Sequence, residues 1–186
     1  MSDLSTILVV DDEVGPRESL RAILKPDYQV VVATEGEQAI RVVEQQPIDV
    51  VLLDLRMPGL SGVQVLEKIK ALDPSIEVIV VTGYASYDTV LEGLRLHAFD
   101  YIPKPFNVPH LRETVKRAAT QRHLYLARAR EQAEQQLRDL LGDLAAVSQS
   151  LRSSLQMIDQ LTQTLQKTGA SLLNAPGESS LYSQDI

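Results

Sequence analysis

The first 120 residues alternate between short, continuously apolar runs and longer stretches in which apolar residues recur every three or four positions. The short runs predict buried β-strands, and the longer stretches predict amphipathic helices. Apolar strands that alternate with helices indicate a parallel sheet covered on both faces, an α/β doubly wound fold. The predicted strands are Thr6–Val10, Tyr28–Ala33, Asp49–Leu53, Ile76–Val81 and Asp100–Ile102. The predicted helices are Glu13–Lys25, Glu35–Gln46, Ser61–Leu72, a short one from about Ser86, and one that Asn107 caps.

Beyond residue 120 the pattern changes to a heptad repeat. No proline occurs between Pro109 and Pro176, and six apolar residues recur at intervals of seven. Such a repeat is typical of a long helix in a coiled coil, although polar residues interrupt its second apolar seam. A helix continuous from His110 to Thr168 would be about 88 Å long, and its apolar stripe would need either a second chain or a fold-back near Gly142. The repeat consists of Leu137, Leu144, Leu151, Ile158, Leu165 and Leu172.

Composition and charge narrow the possible classes of protein. The 186 residues are 44% hydrophobic, carry a net charge of -7 and include no cysteine, which excludes disulfides and thiolate metal sites. We expect a cytoplasmic protein without a signal peptide or a membrane partner, because no apolar run is long enough for either. The acidic balance argues against nucleic-acid binding. We expect one domain over residues 1–120, a helical coiled-coil tail over 121–173 and a disordered C-terminus over 174–186.

Polar residues directly follow four of the predicted strands. Asp11 and Asp12 follow the first strand, Asp54 the third, Thr82 the fourth and Lys104 the fifth. In a doubly wound sheet, ligands bind outside the carboxyl ends of the strands, so these side chains should lie together. Clustered carboxylates repel one another and favour a hard divalent cation such as Mg²⁺. A carboxylate can also attack phosphorus, and a lysine and a hydroxyl can then bind the phosphoryl oxygens. The set therefore predicts phosphoryl transfer onto Asp54.

Four motifs in order resemble the receiver domain of bacterial two-component response regulators. They are Val9–Glu13 (VVDDE), Leu53–Gly62 (LDLRMPGLSG), Val81–Tyr84 (VTGY) and Asp100–Phe106 (DYIPKPF). The resemblance covers roughly residues 4–120, and the second motif is most similar to receivers of the NtrC/FixJ type. It implies a flavodoxin-like sheet of five parallel strands in the order 2-1-3-4-5, followed here by a long C-terminal helix.

The resemblance also implies the roles of the residues at the strand ends. Asp54 would be the phosphoacceptor, and Lys104 would contact the phosphoryl group. Asp11, Asp12, Asp54 and the backbone carbonyl of Arg56 would bind Mg²⁺. A cis peptide is implied between Lys104 and Pro105.

Thr82 and Tyr101 would form the switch in such a receiver. The hydroxyl would move toward the phosphoryl group and the ring would turn inward, so that phosphorylation biases a pre-existing two-state equilibrium. One position departs from the usual pattern, because His97 stands where many receivers have glycine before the fifth strand. A positive φ there would suit glycine better than histidine.

These features predict a regulator that accepts a phosphoryl group from a cognate histidine kinase and signals through its helical tail. The tail would pair two copies of the chain or bind a downstream protein of unknown identity. We expect no enzymatic activity beyond Mg²⁺-dependent self-phosphorylation and dephosphorylation.

Other functions fit the sequence less well. Phosphatases of the haloacid dehalogenase type need a second aspartate where this chain has Arg56. A histidine kinase reading of His123 lacks an ATP-binding half, and a DNA-binding regulator lacks a basic recognition helix. An adaptor or scaffold, a regulator cut from a larger protein, and a receiver that is never phosphorylated stay open as alternatives.

Overall fold

The computed structural model describes the backbone of residues 4–83 and 97–173, and the side chains of residues 4–83 and 97–167. The short helix predicted from about Ser86 and the disorder predicted for residues 174–186 lie outside these residues. The described part contains five strands and four helices. The strands are β1 (Thr6–Val10), β2 (Gln29–Ala33), β3 (Val50–Leu53), β4 (Glu77–Thr82) and β5 (Asp100–Pro103). The helices are α1 (Val14–Leu24), α2 (Gly36–Gln45), α3 (Gly62–Leu72) and α4 (Val108–Leu173).

The five strands form one parallel sheet in the order β2-β1-β3-β4-β5, which confirms the flavodoxin-like topology. The central strands β1, β3 and β4 are buried along nearly their whole length, because helices cover both faces of the sheet. Alternate residues of these strands therefore enter two separate cores. Ile7 and Val9 pack in the core that α1 and α4 cover, whereas Leu8 and Val10 pack in the core that α2 and α3 cover.

Side-chain caps fix the starts of α3, which follows β3, and of α4, which follows β5. The Ser61 hydroxyl accepts from the Gln64 amide, and the Gln64 side chain accepts from the Ser61 amide, which is a capping box. Such a cap contributes about 1 kcal/mol. Asn107 accepts from the His110 amide at the start of α4, as predicted.

Helix α4 is continuous over 66 residues and passes through Gly142 without a break. The fold-back considered for Gly142 is therefore absent from the described helix. The contacts within the chain define two compact units, Met1–Glu131 and Gln132–Ile186. In the first unit, Leu111, Val115 and Ala118 pack in the core beneath the sheet.

In the second unit, the heptad residues whose side chains the structure describes are exposed: Leu137, Leu144, Leu151, Ile158 and Leu165. Leu137 is 57% exposed and Leu165 is 73% exposed, and the residues between them on the same stripe lie within that range. No helix in the described residues is both long enough and apolar enough to cross a membrane.

Candidate functional site

The register of the sheet brings the predicted site residues to one edge. Val10 pairs with Leu53 at the ends of β1 and β3, so Asp11 and Asp54 follow neighbouring strands at the same level. Thr82 pairs with Pro103 at the ends of β4 and β5, and Lys104 comes next. The amide of Lys104 donates to the Thr82 carbonyl, which fixes the start of the loop after β5. The prediction that these strand ends meet is confirmed.

Lys104 connects the two buried carboxylates of the site. Its Nζ donates to Asp11 Oδ2 at 2.7 Å and to Asp54 Oδ2 at 2.6 Å. All three side chains are largely buried, at 14% exposed for Lys104, 2% for Asp11 and 8% for Asp54. Burial alone would lower the pKa of Lys104, but its hydrogen bonds to the two carboxylates outweigh burial and raise that pKa. The ammonium is therefore a firmly protonated cation between two acids.

Burial and the Lys104 ammonium shift the pKa of Asp11 in opposite directions. Burial raises its pKa above the ordinary value of 3.8, although the Lys104 ammonium and the amide of Glu13 both lower it. The charge of Asp54 adds to the rise. An acid whose charge is penalised in this way is stabilised by a further cation, which fits a site that would bind one.

Asp12 completes a cluster of three carboxylates. Asp11, Asp12 and Asp54 each offer a ligand atom, and these atoms lie within 4.8 Å of one another. Asp12 is exposed to solvent, whereas the other two are buried. Oxygen ligands that face solvent on one side suit Mg²⁺, which retains several of its waters. The donor set therefore fits the divalent cation predicted from the sequence.

The loop after β3 is held close to Asp54 by backbone contacts. The Arg56 amide donates to Asp54 Oδ1 at 3.2 Å, and the Gly62 amide donates to the Leu55 carbonyl at 3.1 Å. A Cβ at position 62 would overlap the Asp54 carbonyl oxygen and the Leu55 Cα. Only glycine allows α3 to begin this close to the end of β3.

A cavity of about 890 Å³ opens beside the carboxylates. Its walls include Asp54, Arg56, Thr82 and Lys104. Thr82 is therefore brought to the site, as predicted. Tyr101 lies in β5 opposite Val80, is partly buried, and is not one of the residues that line this cavity.

Two backbone features near the site agree with the sequence. His97 has a φ of 60°, the left-handed conformation considered for this position. The peptide between Lys104 and Pro105 is cis, as the resemblance implied.

The sequence did not single out Arg17, which the structure places behind the acidic loop. Its side chain is buried, and its Nη1 donates to the carbonyl oxygens of Asp11 at 2.8 Å and Asp12 at 3.2 Å. The signal available in the sequence was helical spacing, because Arg17 shares the buried face of α1 with Leu20 and Leu24. An arginine at an apolar-face position calls for an explanation.

Comparison with known proteins identifies the family. Residues 7–116 match the response regulator receiver domain family, and they are more than half of the chain. The chain belongs to this family, and it contains the receiver domain of a two-component response regulator, homologous to regulators of the NtrC/FixJ type.

Two relatives and one solved structure show the extent of the similarity. The transcriptional regulatory protein ZraR of Escherichia coli (strain K12) is 40% identical over 118 residues, which are 63% of this chain and 27% of ZraR. Sporulation initiation phosphotransferase F of Bacillus subtilis (strain 168) is 38% identical over 112 residues, or 60% of this chain and 90% of that protein. The crystal structure of a CheY-like receiver domain protein from Methanospirillum hungatei JF-1 is 31% identical, with a TM-score of 0.64, over 66% of this chain and 99% of that one. The chain thus spans about a quarter of ZraR but nearly all of the smaller relatives.

Proposed function

We propose that Asp54 accepts a phosphoryl group from a phosphohistidine of a cognate histidine kinase, and that this event switches the state of the regulator. The observation that carries the proposal is the contact of one buried ammonium, that of Lys104, with both Asp54 and Asp11. Sporulation initiation phosphotransferase F is named for phosphoryl transfer, and this chain matches 90% of that protein.

The chemistry assigns a step to each side chain. A carboxylate oxygen of Asp54 forms a bond to phosphorus while the bond from phosphorus to the donor's imidazole nitrogen breaks, and that nitrogen keeps the electron pair. Lys104 then exchanges its hydrogen bond to Asp54 Oδ2 for one to a phosphoryl oxygen. Asp11, Asp12, Asp54 and the Arg56 carbonyl would hold Mg²⁺, which would offset the charge on the phosphoryl oxygens.

Thr82 and Tyr101 would transmit the event. Thr82 lines the cavity that contains Asp54, so its hydroxyl can bind a phosphoryl oxygen after a small movement. Tyr101 is on the neighbouring strand β5, where its partly buried ring can take up the space that this movement changes. Phosphorylation would in this way favour one of two pre-existing conformations.

The test is chemical phosphorylation of the full chain with acetyl phosphate and Mg²⁺. We expect a hydroxylamine-labile phosphate, detected by mass spectrometry, in the wild type and in the control Asp27→Asn, whose carboxylate is exposed and lies outside the site. Asp54→Asn should carry none. Equal labelling of Asp54→Asn and the wild type, or no labelling of the wild type, would contradict the proposal.

We propose that the tail carries the output by pairing with the tail of a second copy. The support is the heptad repeat together with the exposure of its apolar residues, since a lone helix cannot bury such a stripe. The receiver would then control which surface the tail contacts. The protein would carry out no enzymatic step beyond phosphorylation and dephosphorylation of Asp54.

A second candidate function is a receiver that serves a longer regulator or an adaptor. The observation in its favour is that the match to ZraR covers only 27% of ZraR, which is called a transcriptional regulatory protein. In that case the tail would connect the receiver to a separate output. Light scattering of the full chain separates the two functions, because a dimer fits tail pairing and a monomer fits the connector.

A further inference from the structure

We propose that Arg17 is a positioning residue that sets the divalent-metal affinity of the acidic cluster. This inference rests on the proposed function, because it concerns the same site. It starts from the two hydrogen bonds of Arg17 Nη1, to the carbonyl oxygens of Asp11 and Asp12. The residue is only 9% exposed, although it carries a full charge.

The two carbonyls that Arg17 binds lie on either side of one α-carbon. The Asp11 carbonyl belongs to the peptide before the Asp12 Cα, and the Asp12 carbonyl belongs to the peptide after it. The planes of these two peptides define φ and ψ of Asp12, since each peptide is rigid. A single guanidinium nitrogen with two hydrogens can therefore fix both backbone angles of Asp12.

Asp12 depends on its backbone for its position. Asp11 is held through its side chain, because Oδ1 accepts from the Glu13 amide and Oδ2 from Lys104. Within the described residues, no hydrogen bond holds the exposed carboxylate of Asp12 in the way that Glu13 and Lys104 hold that of Asp11. Its direction toward Asp54 and Asp11 then follows from the backbone that Arg17 fixes.

The two cations of the site thus have different tasks. Lys104 contacts the carboxylates of Asp11 and Asp54, whereas Arg17 contacts only main-chain oxygens in the described structure. A buried charge costs free energy unless it is well paired, and an apolar residue would suit this face of α1 beside Leu20 better. The ligand geometry that Arg17 maintains explains why a charged residue stands here despite that cost. Partners behind metal ligands typically contribute about 10- to 100-fold in metal affinity.

The experiment measures Mn²⁺ binding to the full chain by the loss of the free-ion electron paramagnetic resonance signal. Arg17→Met keeps the length of the side chain and removes its donors. We expect its Mn²⁺ dissociation constant to rise by about tenfold or more. Arg21→Met is the matched control, because Arg21 lies one turn further along α1, is exposed and, among the described residues, its side chain bonds only Glu18. It removes the same charge and should bind Mn²⁺ as the wild type does.

A second readout separates positioning from general damage to the fold. In Arg17→Met, the Mg²⁺ concentration that half-saturates phosphorylation by acetyl phosphate should rise by a similar factor, while the rate at saturating Mg²⁺ stays close to that of the wild type. Urea unfolding of both variants shows how much stability is lost. If Arg17→Met does not fold, Arg17→Lys takes its place, with the same expected direction of change.

The outcomes are distinct. A folded Arg17 variant that binds Mn²⁺ as tightly as Arg21→Met overturns the inference and leaves phosphorylation of Asp54 intact. A wild type that neither binds Mn²⁺ nor acquires phosphate overturns the proposed function itself. A loss of saturated rate without a change in metal affinity also contradicts the positioning role.

Discussion

At the scale of single residues, the site is a set of charges whose balance can be changed one group at a time. Asp11, Asp54 and Lys104 are each buried, and their mutual contacts replace the water that they lost. The sequence predicted these three, because each follows an apolar run that had to be a strand. It did not predict Arg17, since the burial of a helical arginine depends on what α1 packs against.

Replacement of Lys104 by Met should leave two buried carboxylates facing each other without their cation. We expect Lys104→Met to lose about 3 kcal/mol of unfolding free energy in EDTA, the usual cost of breaking a buried pair. Excess Mg²⁺ should restore part of this loss, because the metal binds only the folded state. Urea unfolding in both conditions measures the effect. Lys68→Met removes an exposed lysine of α3 and should keep the unfolding free energy of the wild type both in EDTA and in Mg²⁺. An equal loss in Lys68→Met would contradict the role of Lys104.

Asp73 provides a pH-dependent prediction at the opposite end of the sheet. Burial would raise its pKa, but hydrogen bonds from Ser75 and the Arg122 guanidinium lower it below the ordinary value of 3.8. An acid with a lowered pKa in the folded state stabilises the fold above pH 3.8, and this contribution is lost as the pH falls below that value. The wild type should therefore be more stable than Asp73→Asn near neutral pH. This difference in unfolding free energy should be largest there and should shrink in acid.

The partner of Asp73 supplies the control for this titration. Arg122 is buried on α4 and contacts Asp73 through both Nη atoms, as well as the Ser75 hydroxyl. In an Arg122→Gln background, the effect of Asp73→Asn should be smaller and should vary less with pH. An effect that is the same in both backgrounds would show that Arg122 is not the cause.

At the scale of elements, the strands were the easiest part to predict and the loops the hardest. The predicted limits of the five strands and the first three helices differ from the structure by at most one residue, because apolar runs and caps mark them directly, whereas the long helix extends two residues before and five beyond the predicted His110–Thr168. The order of the strands came from the resemblance, since periodicity does not say which strands are neighbours. The close approach of the loop after β3 to α3 could not be read at all, because it depends on the path of the backbone at Gly62.

Gly62 tests whether this close approach matters for the site. In Gly62→Ala the new Cβ meets backbone atoms of Asp54 and Leu55, which cannot rotate away. We expect a loss of about 2 kcal/mol in unfolding free energy, the usual cost of overpacking. Slower phosphorylation should accompany it, because Asp54 itself must shift. Gly15→Ala, whose Cβ would have nothing within 4 Å, should be neutral or stabilising; if it is equally damaging, the clash at position 62 is not the reason.

At the scale of the whole molecule, the receiver and the tail depend on different physical evidence. The unit Met1–Glu131 contains the buried apolar cores, whereas in the unit Gln132–Ile186 the leucines whose side chains the structure describes are exposed. Helix α4 shows that the tail is helical as predicted, and the heptad repeat shows which face is apolar. An apolar stripe of this kind is typical of a helix that packs against another element. The sequence therefore predicted that the tail is helical, and the pairing of its apolar face stays a prediction.

The last prediction concerns that partner. Leu151 lies in the middle of the heptad repeat and is 60% exposed, so pairing of two tails would bury it. We expect the full chain to be a dimer by light scattering, and Leu151→Asp to weaken the dimer by about two orders of magnitude. Gln149→Asp adds the same charge and should leave the dimer intact. Because Gln149 comes five positions after Leu144, it lies on the side of the helix opposite the apolar stripe. A monomeric wild type at every concentration would contradict tail pairing and favour the adaptor or connector function. Equal weakening by both substitutions would show that charge, and not the apolar face, controls the association.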